Sequence, residues 1–482
     1  MGSLTAALVT ELCTRVSPPK SIFVLAYEID PSLIHFLSGT LESCRSFCSQ
    51  HGVAFDAEIR QSDFVIEASG NLAGGLFQRQ IPSINCAILN PPYRKINSTS
   101  SHRATLRSAG IETSNLYTAF LALAIGLLGP LGEMVAITPR SFCNGPYFKP
   151  FRKMLLDEMA IERIHVFESR SRAFKEDEVL QENIIIHAAK QTYVPSFVDI
   201  SESADAESSA TVRRAAYAEM VRPDDPDRFI HIVPDESGRN ISSTMRRLHT
   251  QLAELGLGVS TGRVVDFRAK GFLRAEAALN TVPLIYPGHF VDGYVAWPQR
   301  DGKKPNALIR SSETEELMVP SGIYVLVKRF SAKEEPRRIV AAIYDPKRLP
   351  ETEVVGFENH LNYFHAFGEP LPRALALGLA AFLNSQMVDT YFRQFNGHTQ
   401  VNATDLRNLA YPTYDQLEVL GQYFGNSSPS AADIDDYLEE RILSMVSESP
   451  ETPRNIPQKK ISECLEILSA IARNPKMQTA RL

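Results

Sequence analysis

The first two hundred residues alternate between short apolar runs and longer stretches with apolar residues at helical spacing. Ser21-Ile22-Phe23-Val24-Leu25-Ala26-Tyr27 predicts a strand that stops at Glu28-Ile29-Asp30-Pro31. A helix is expected from about Ser32 to Gln50, and a second strand from Val53 to Ile59. Ile84 to Leu89 is a third strand, and an apolar helix covers roughly Ser114 to Leu128. Gly132 to Pro139 is a fourth strand, followed by a helix from about Phe148 to Glu158. Two further strands lie near Ile164–Phe167 and Asn183–Ala189. Strand–helix alternation of this kind predicts an α/β fold, a mainly parallel sheet with helices on both faces. Ligands of such sheets bind beyond the carboxyl ends of the strands.

The polar residues at those strand ends carry the candidate chemistry. Asn90-Pro91-Pro92-Tyr93 closes the third strand. The prolines fix φ and remove two backbone donors. The strand end therefore presents carbonyl oxygens and the Asn90 amide oxygen, all acceptors. Such a lip suits a planar NH2 group, with Tyr93 lying on the face of its ring. A Pro-Pro pair is also an ordinary stop to a strand. Glu28, at the end of the first strand, suits a ribose diol. Asp63, after the second, suits an exocyclic amine, with Phe64 packed on the ring. Each acid could instead be a turn residue or a helix cap.

On these motifs the chain resembles the S-adenosylmethionine-dependent adenine-N6 DNA methyltransferases of type II restriction–modification systems. Glu28-Ile29-Asp30-Pro31 resembles their cofactor-ribose motif, Asp63-Phe64 their cofactor-adenine motif, and Asn90 to Tyr93 their catalytic motif. Thr138-Pro139-Arg140-Ser141-Phe142 and the stretch from Phe174 to Asn183 also look like segments of that family. The resemblance implies a Rossmann-like sheet, S-adenosyl-L-methionine as cofactor, and duplex DNA as partner with its target adenine flipped out. Asn90 and Pro91 would accept from N6, and Tyr93 and Phe174 would stack on the flipped base. A cognate restriction endonuclease in the same system is an implied partner.

The start departs from the family pattern. Met1-Gly2-Ser3-Leu4-Thr5 looks like the end of a glycine-rich cofactor loop entering its helix, with Gly2 the remaining cofactor-binding glycine. The strand and acidic turn that family members carry before it are expected to be missing, as from a truncated reading frame.

Composition changes after residue 195. Polar Ser201 to Ser209 and Pro223-Asp224-Asp225-Pro226 suggest a linker over residues 196–240. The expected organisation is a catalytic domain over 1–195, a mixed α+β target-recognition domain over 241–415, and a helical segment over 416–482. In the second domain, basic residues such as Arg263 and the cluster His398-Thr399-Gln400-Val401-Asn402 are candidate DNA contacts. Asn402 could equally cap a helix.

Overall charge narrows little. The 482 residues carry a formal net charge of −6, which permits a local basic groove. Six cysteines without zinc spacing suggest a reduced, cytoplasmic protein with no metal. No apolar run is long enough to span a bilayer, so no membrane is expected. Two other functions fit. A protein glutamine-N5 methyltransferase can use the same four-residue turn, and a DNA-binding fragment without catalysis would follow from the truncated loop.

Overall fold

A computed structural model describes residues 1–75, 79–167, 182–191, 193–203, 208–223, 225–233, 236–299, 302–331, 335–397, 399–425, 427 and 429–444. The chain divides between residues 234 and 235 into two compact units.

The first unit opens with helix α1 (Ser3–Thr14), strand β1 (Ser21–Tyr27), helix α2 (Pro31–Gln50) and strand β2 (Ala54–Arg60). Helix α3 (Phe64–Leu72), strand β3 (Ile84–Leu89), helix α4 (Ser101–Ser108) and helix α5 (Leu116–Leu127) follow. Next come β4 (Leu128–Pro139), α6 (Lys149–Glu158), β5 (Met159–Phe167) and β6 (Asn183–Lys190). The strands expected from the sequence all form, within a few residues of their expected limits.

Local chemistry explains the boundaries. Pro31 opens α2 with its φ already helical, and Asp30 caps it by accepting from the Ser32 N–H at 2.8 Å. Helix α5 is apolar on all sides and buried from Leu116 to Ile125 except for half-buried Phe120, as suits a helix packed under a sheet. Helices α1 and α2 cover one face through Val9, Cys13, Cys44 and Cys48, which pack with Ile22 and Phe55. Helices α3, α5 and α6 cover the other, in a core that includes Leu25, Tyr27, Ala87 and Leu89. The layers are those of a doubly wound α/β fold.

The sheet is in two pieces. β1 pairs in parallel with β2 alone. β3 is the edge of a separate six-stranded sheet, in the order β3-β4-β6-β5-β7-β8, where β7 is Phe197–Ser203 and β8 is Thr211–Ala216. Among the described residues, no strand pairs with the other edge of β1 or of β3. β6 runs antiparallel to β4 and β5, and β8 antiparallel to β7, so the sheet is mixed at its far end. Residues 197–216, read from composition as part of a linker, extend this sheet. Their burial alternates (Val198, Ile200 and Ala215 are buried), a period-two signal that the surrounding polar residues masked.

The second unit starts with α7 (Glu236–Arg246) and holds two β-layers. The first contains β9 (Gly258–Thr261), with five later strands up to Leu361–His365; the second has five short strands between Leu273 and Phe357. Tyr324, Leu326 and Tyr344 of the first layer share a core with Ile285, Val319 and Phe357 of the second. Helices α8 (Arg373–Leu383), α9 (Gln386–Phe395), α10 (Ala403–Arg407) and α11 (Tyr414–Phe424) follow, and a further helix covers Ala431–Tyr437. None of the helices among the described residues is long and apolar enough to cross a membrane.

Candidate active site

The carboxyl ends of β1, β2 and β3 bring Glu28, Asp63 and Asn90 to one rim of the first unit. Chain direction reverses here. From β1 the connection through α2 steps outward to β2, and from β2 the connection through α3 returns past β1 to β3. The space between β1 and β3 is thus the topological switch point where doubly wound sheets bind ligands.

Asn90 is exposed, Pro91 is buried, Pro92 is exposed and Tyr93 is half-buried. The Tyr93 hydroxyl lies 3.1 Å from Asn90 Oδ1 and 3.3 Å from the Ile137 carbonyl oxygen on β4, and donates between them. The turn is thereby fastened to the adjacent strand. An amide oxygen has two lone pairs, so Asn90 Oδ1 keeps one for a ligand. Tyr93 stands edge-on to Tyr117 of α5 at 6.3 Å and 88°. The Tyr117 hydroxyl meets Ser141 Oγ at 2.8 Å, and burial drives its pKa well up, so it stays a neutral hydrogen-bonding group.

The loop after β4 is held from beneath. The Arg140 guanidinium pairs with Glu182 at 3.0 Å, both buried, and the Arg140 N–H donates to the Glu182 carbonyl at 2.7 Å. Arg152 of α6 is fully buried and donates to the carbonyls of Phe142, Asn144, Gly145 and Asp227. These groups escaped the sequence reading. A signal for Arg152 was present: it lies three and four positions before Leu155 and Leu156, on the apolar stripe of its helix, where a charge needs partners.

On the β1–β2 side, one Glu28 carboxylate oxygen accepts from the Asp30 N–H at 2.9 Å, while Ile29 is exposed. Asp63 does what a helix cap does. Its Oδ1 accepts from the Val65 and Ile66 N–H groups at 2.9 and 3.3 Å, and its Oδ2 meets His102 Nε2 at 2.7 Å. Phe64 packs edge-on to Tyr27 at 5.0 Å and against Phe120 at 5.1 Å. Behind them is an unforeseen cluster. Arg60, almost wholly buried, pairs with Glu58 and Glu67, and the Tyr27 hydroxyl donates to Glu67 at 3.1 Å. Burial alone would raise the Glu67 carboxyl, but hydrogen bonds from Ser62, Arg60 and Tyr27 hold it below its usual range. Burial, then the Glu67 charge, pushes Tyr27 up to about 12.

Gly2 caps α1 with φ 74°, and the carbonyl of Met1 accepts from Thr40 Oγ1 at 2.7 Å. Phe174 and His398 lie outside the described residues. In the second unit, Arg263 donates to the carbonyls of Glu316 and Met318 at 3.3 and 3.1 Å, and Thr399 is exposed. Asn402 opens α10, with its N–H and its amide both donating to Asp405.

Residues 78–174 match the Eco57I restriction-modification methylase family, a stretch that contains the Asn90 turn. Over 446 residues the chain is 47% identical to the type II methyltransferase M.PstI of Providencia stuartii, covering 92% of this chain and 87% of that one. The chain belongs to the type II methyltransferases of restriction–modification systems. The type II methyltransferase M.BsuBI of Bacillus subtilis is 44% identical over 449 residues, with the same coverage of both chains. The solved structure of the type IIL restriction-modification enzyme MmeI in complex with DNA shares the fold, with a TM-score of 0.53 at 13% identity. That likeness covers 92% of this chain and 64% of MmeI.

Proposed function

We propose that the chain transfers a methyl group from S-adenosyl-L-methionine to N6 of an adenine flipped out of duplex DNA. The observation that carries this reading is the Asn90 turn: an amide oxygen with a spare lone pair beside a proline carbonyl, at the switch point of the sheet. Asn90 Oδ1 and the Pro91 carbonyl would accept the two N6 hydrogens and draw the nitrogen lone pair out of conjugation. The ring of Tyr93 offers a stacking face for the base, and Phe174 is the proposed second one. A base within a duplex is out of reach, so it must leave the stack first.

The cofactor fits the residues present at its nucleoside end. Glu28 is half-buried at the end of β1, and its second oxygen makes no hydrogen bond among the described residues, as a ribose diol requires. Ile29 and Phe64 would flank the adenine, and the Asp63 carboxylate would accept its amine in place of His102. Gly2 would lie at the loop side of the same site. When bound, S-adenosyl-L-methionine supplies a methyl group on a sulfonium, already a good leaving group. The protein's part is positioning and exclusion of water.

Arg263, His398, Thr399 and Asn402 are proposed DNA contacts of the second unit. The biological role in this reading is protection of host DNA against a cognate endonuclease. Methylation of a protein glutamine remains the rival acceptor chemistry. A second reading is DNA binding without methyl transfer, in keeping with a β1–β2 pair that joins no other described strand.

The test is incubation with radiolabelled S-adenosyl-L-methionine and either plasmid DNA or protein acceptors, followed by nucleoside digestion. Label in N6-methyladenine supports the proposal. Label in a methylated cytosine or in protein sinks it. DNA binding with no cofactor heat in calorimetry establishes the second reading.

A further inference from the structure

Beneath the Glu28 and Asp63 turns, charge is buried where apolar packing would have served. Glu67 lies in the first turn of α3, where a carboxylate also suits the helix dipole, and it is largely covered. Its Oε1 accepts from Arg60 Nη1 at 2.5 Å and from the Tyr27 hydroxyl at 3.1 Å. Its Oε2 accepts from Ser62 Oγ at 2.5 Å. Burial works against the Glu67 charge, and hydrogen bonds from Ser62, Arg60 and Tyr27 outweigh it. Arg60 in turn pairs with Glu58 and donates from Nη2 to the Gln80 carbonyl at 2.9 Å. One carboxylate thus gathers the ends of β1 and β2 and the turn after β2. Through Arg60 it also reaches the segment before β3.

Each anchor adjoins a residue of the proposed cofactor site. Tyr27 precedes Glu28, whose N–H donates to the Arg60 carbonyl at 3.1 Å. Ser62 precedes Asp63, and the Tyr27 ring stands edge-on to Phe64 at 5.0 Å. Strand pairing sets Tyr27 opposite Arg60, but the turns beyond that pair lie outside the ladder. The Asp63 cap ties its residue to α3 and not to β1. Glu67 supplies the tie between the two turns, since it belongs to α3 and holds Tyr27 and Ser62 together. Replacing a buried ion pair by apolar side chains is often neutral for stability, so folding alone gives little reason for this charge. The directional bonds of a carboxylate to a guanidinium and two hydroxyls do fix geometry.

We propose that Glu67 is a positioning residue for the nucleoside of S-adenosyl-L-methionine, acting through Tyr27 and Ser62 to set the spacing between the Glu28 carboxylate and the Asp63–Phe64 turn. The inference rests on the cofactor reading above. In that reading the adenosyl group spans the two turns, with its ribose diol at one and its exocyclic amine at the other. An error in their spacing therefore misplaces one contact whenever the other is made.

Calorimetry on the full chain tests this with two ligands, S-adenosyl-L-homocysteine and its inosine counterpart, which has an oxygen in place of the exocyclic amine. The variants are Glu67→Gln, which keeps the volume and removes the charge opposite Arg60, and Tyr27→Phe, which keeps the ring on Phe64 and removes one tie. S-adenosyl-L-homocysteine should bind about tenfold more weakly to Glu67→Gln and about threefold more weakly to Tyr27→Phe. KM for S-adenosyl-L-methionine should rise by similar factors, well beyond any fall in kcat. The preference for the adenosine ligand over the inosine one should shrink in both variants, because Asp63 no longer meets the amine squarely. A merely structural role would weaken both ligands equally. Should Glu67→Gln fail to fold, Tyr27→Phe decides by the same comparison. Equal weakening of the two ligands, or unchanged binding of both, overturns the proposal and leaves the cofactor reading standing. An unaltered chain that binds neither ligand overturns the cofactor reading and the proposal with it.

Discussion

Asn90 and Tyr93 show how little of the proposed catalytic turn is spare. One hydroxyl fastens the turn to β4 and lies on the amide oxygen that the reaction would use. Asn90→Ala should lower methyl transfer by about a hundredfold or more while leaving DNA affinity unchanged, as expected when a preorganised polar contact is lost. Labelled transfer and gel-shift titration measure the two, and unchanged transfer would remove Asn90 from the mechanism. A second residue has a pH signature. His165 is buried between Ser201 Oγ at 2.9 Å and Ser203 Oγ at 3.1 Å, and burial lowers its pKa from 6.5 to about 4. The unfolded chain binds this proton at higher pH than the folded one. The stability that the neutral ring contributes is therefore complete above the unfolded value and drains away as pH falls towards the folded one. The full loss is about 3 kcal/mol. Urea midpoints for the chain and for His165→Gln should follow different slopes across that window, the variant losing less on acidification.

Among elements, the contact between α8 and α11 has the least tolerance. A Cβ on Gly378 would lie 1.8 Å from the Leu417 carbonyl oxygen, and one on Gly421 would lie 1.9 Å from that of Ala374. Both approaches involve backbone, so neither can be relieved by a side-chain rotation. Gly378→Ala or Gly421→Ala should each destabilise the second unit by about 3 kcal/mol, at the upper end for overpacking. Thermal unfolding would show this as a lowered midpoint, and an unchanged midpoint would mean that the helices do not meet at these glycines.

For the molecule as a whole, the legible and illegible parts of the sequence separate by the range of the interaction. Apolar runs and caps are local, so β1 to β6, Asp30 at the start of α2 and the turn at Asn90 could all be read. Arg60 with Glu67, and Arg140 with Glu182, join residues 7 and 42 positions apart, and no local pattern announces them. β7 and β8 were hidden because their few buried apolar positions alternate within polar sequence. Asp63 and Asn402 sit at helix starts, the more ordinary of the two roles their spacing allowed. The net charge of −6 leads to a further expectation. If DNA is the partner, affinity must come from a local basic surface, and log K should fall linearly with log salt, by about 0.9 for each phosphate contacted. A flat dependence in filter binding would exclude duplex DNA as the partner.

Arg152 carries a consequence for biosynthesis. It grips the carbonyls of Phe142, Asn144 and Gly145 with the same guanidinium that reaches Asp227, 75 residues later. While the ribosome is still between those two positions, the guanidinium lacks its second anchor. The loop beside the Asn90 turn therefore takes its final path only after residue 227 has emerged. A nascent chain stalled before that point should hold the β3 and β4 strands with their adjoining loop still unset.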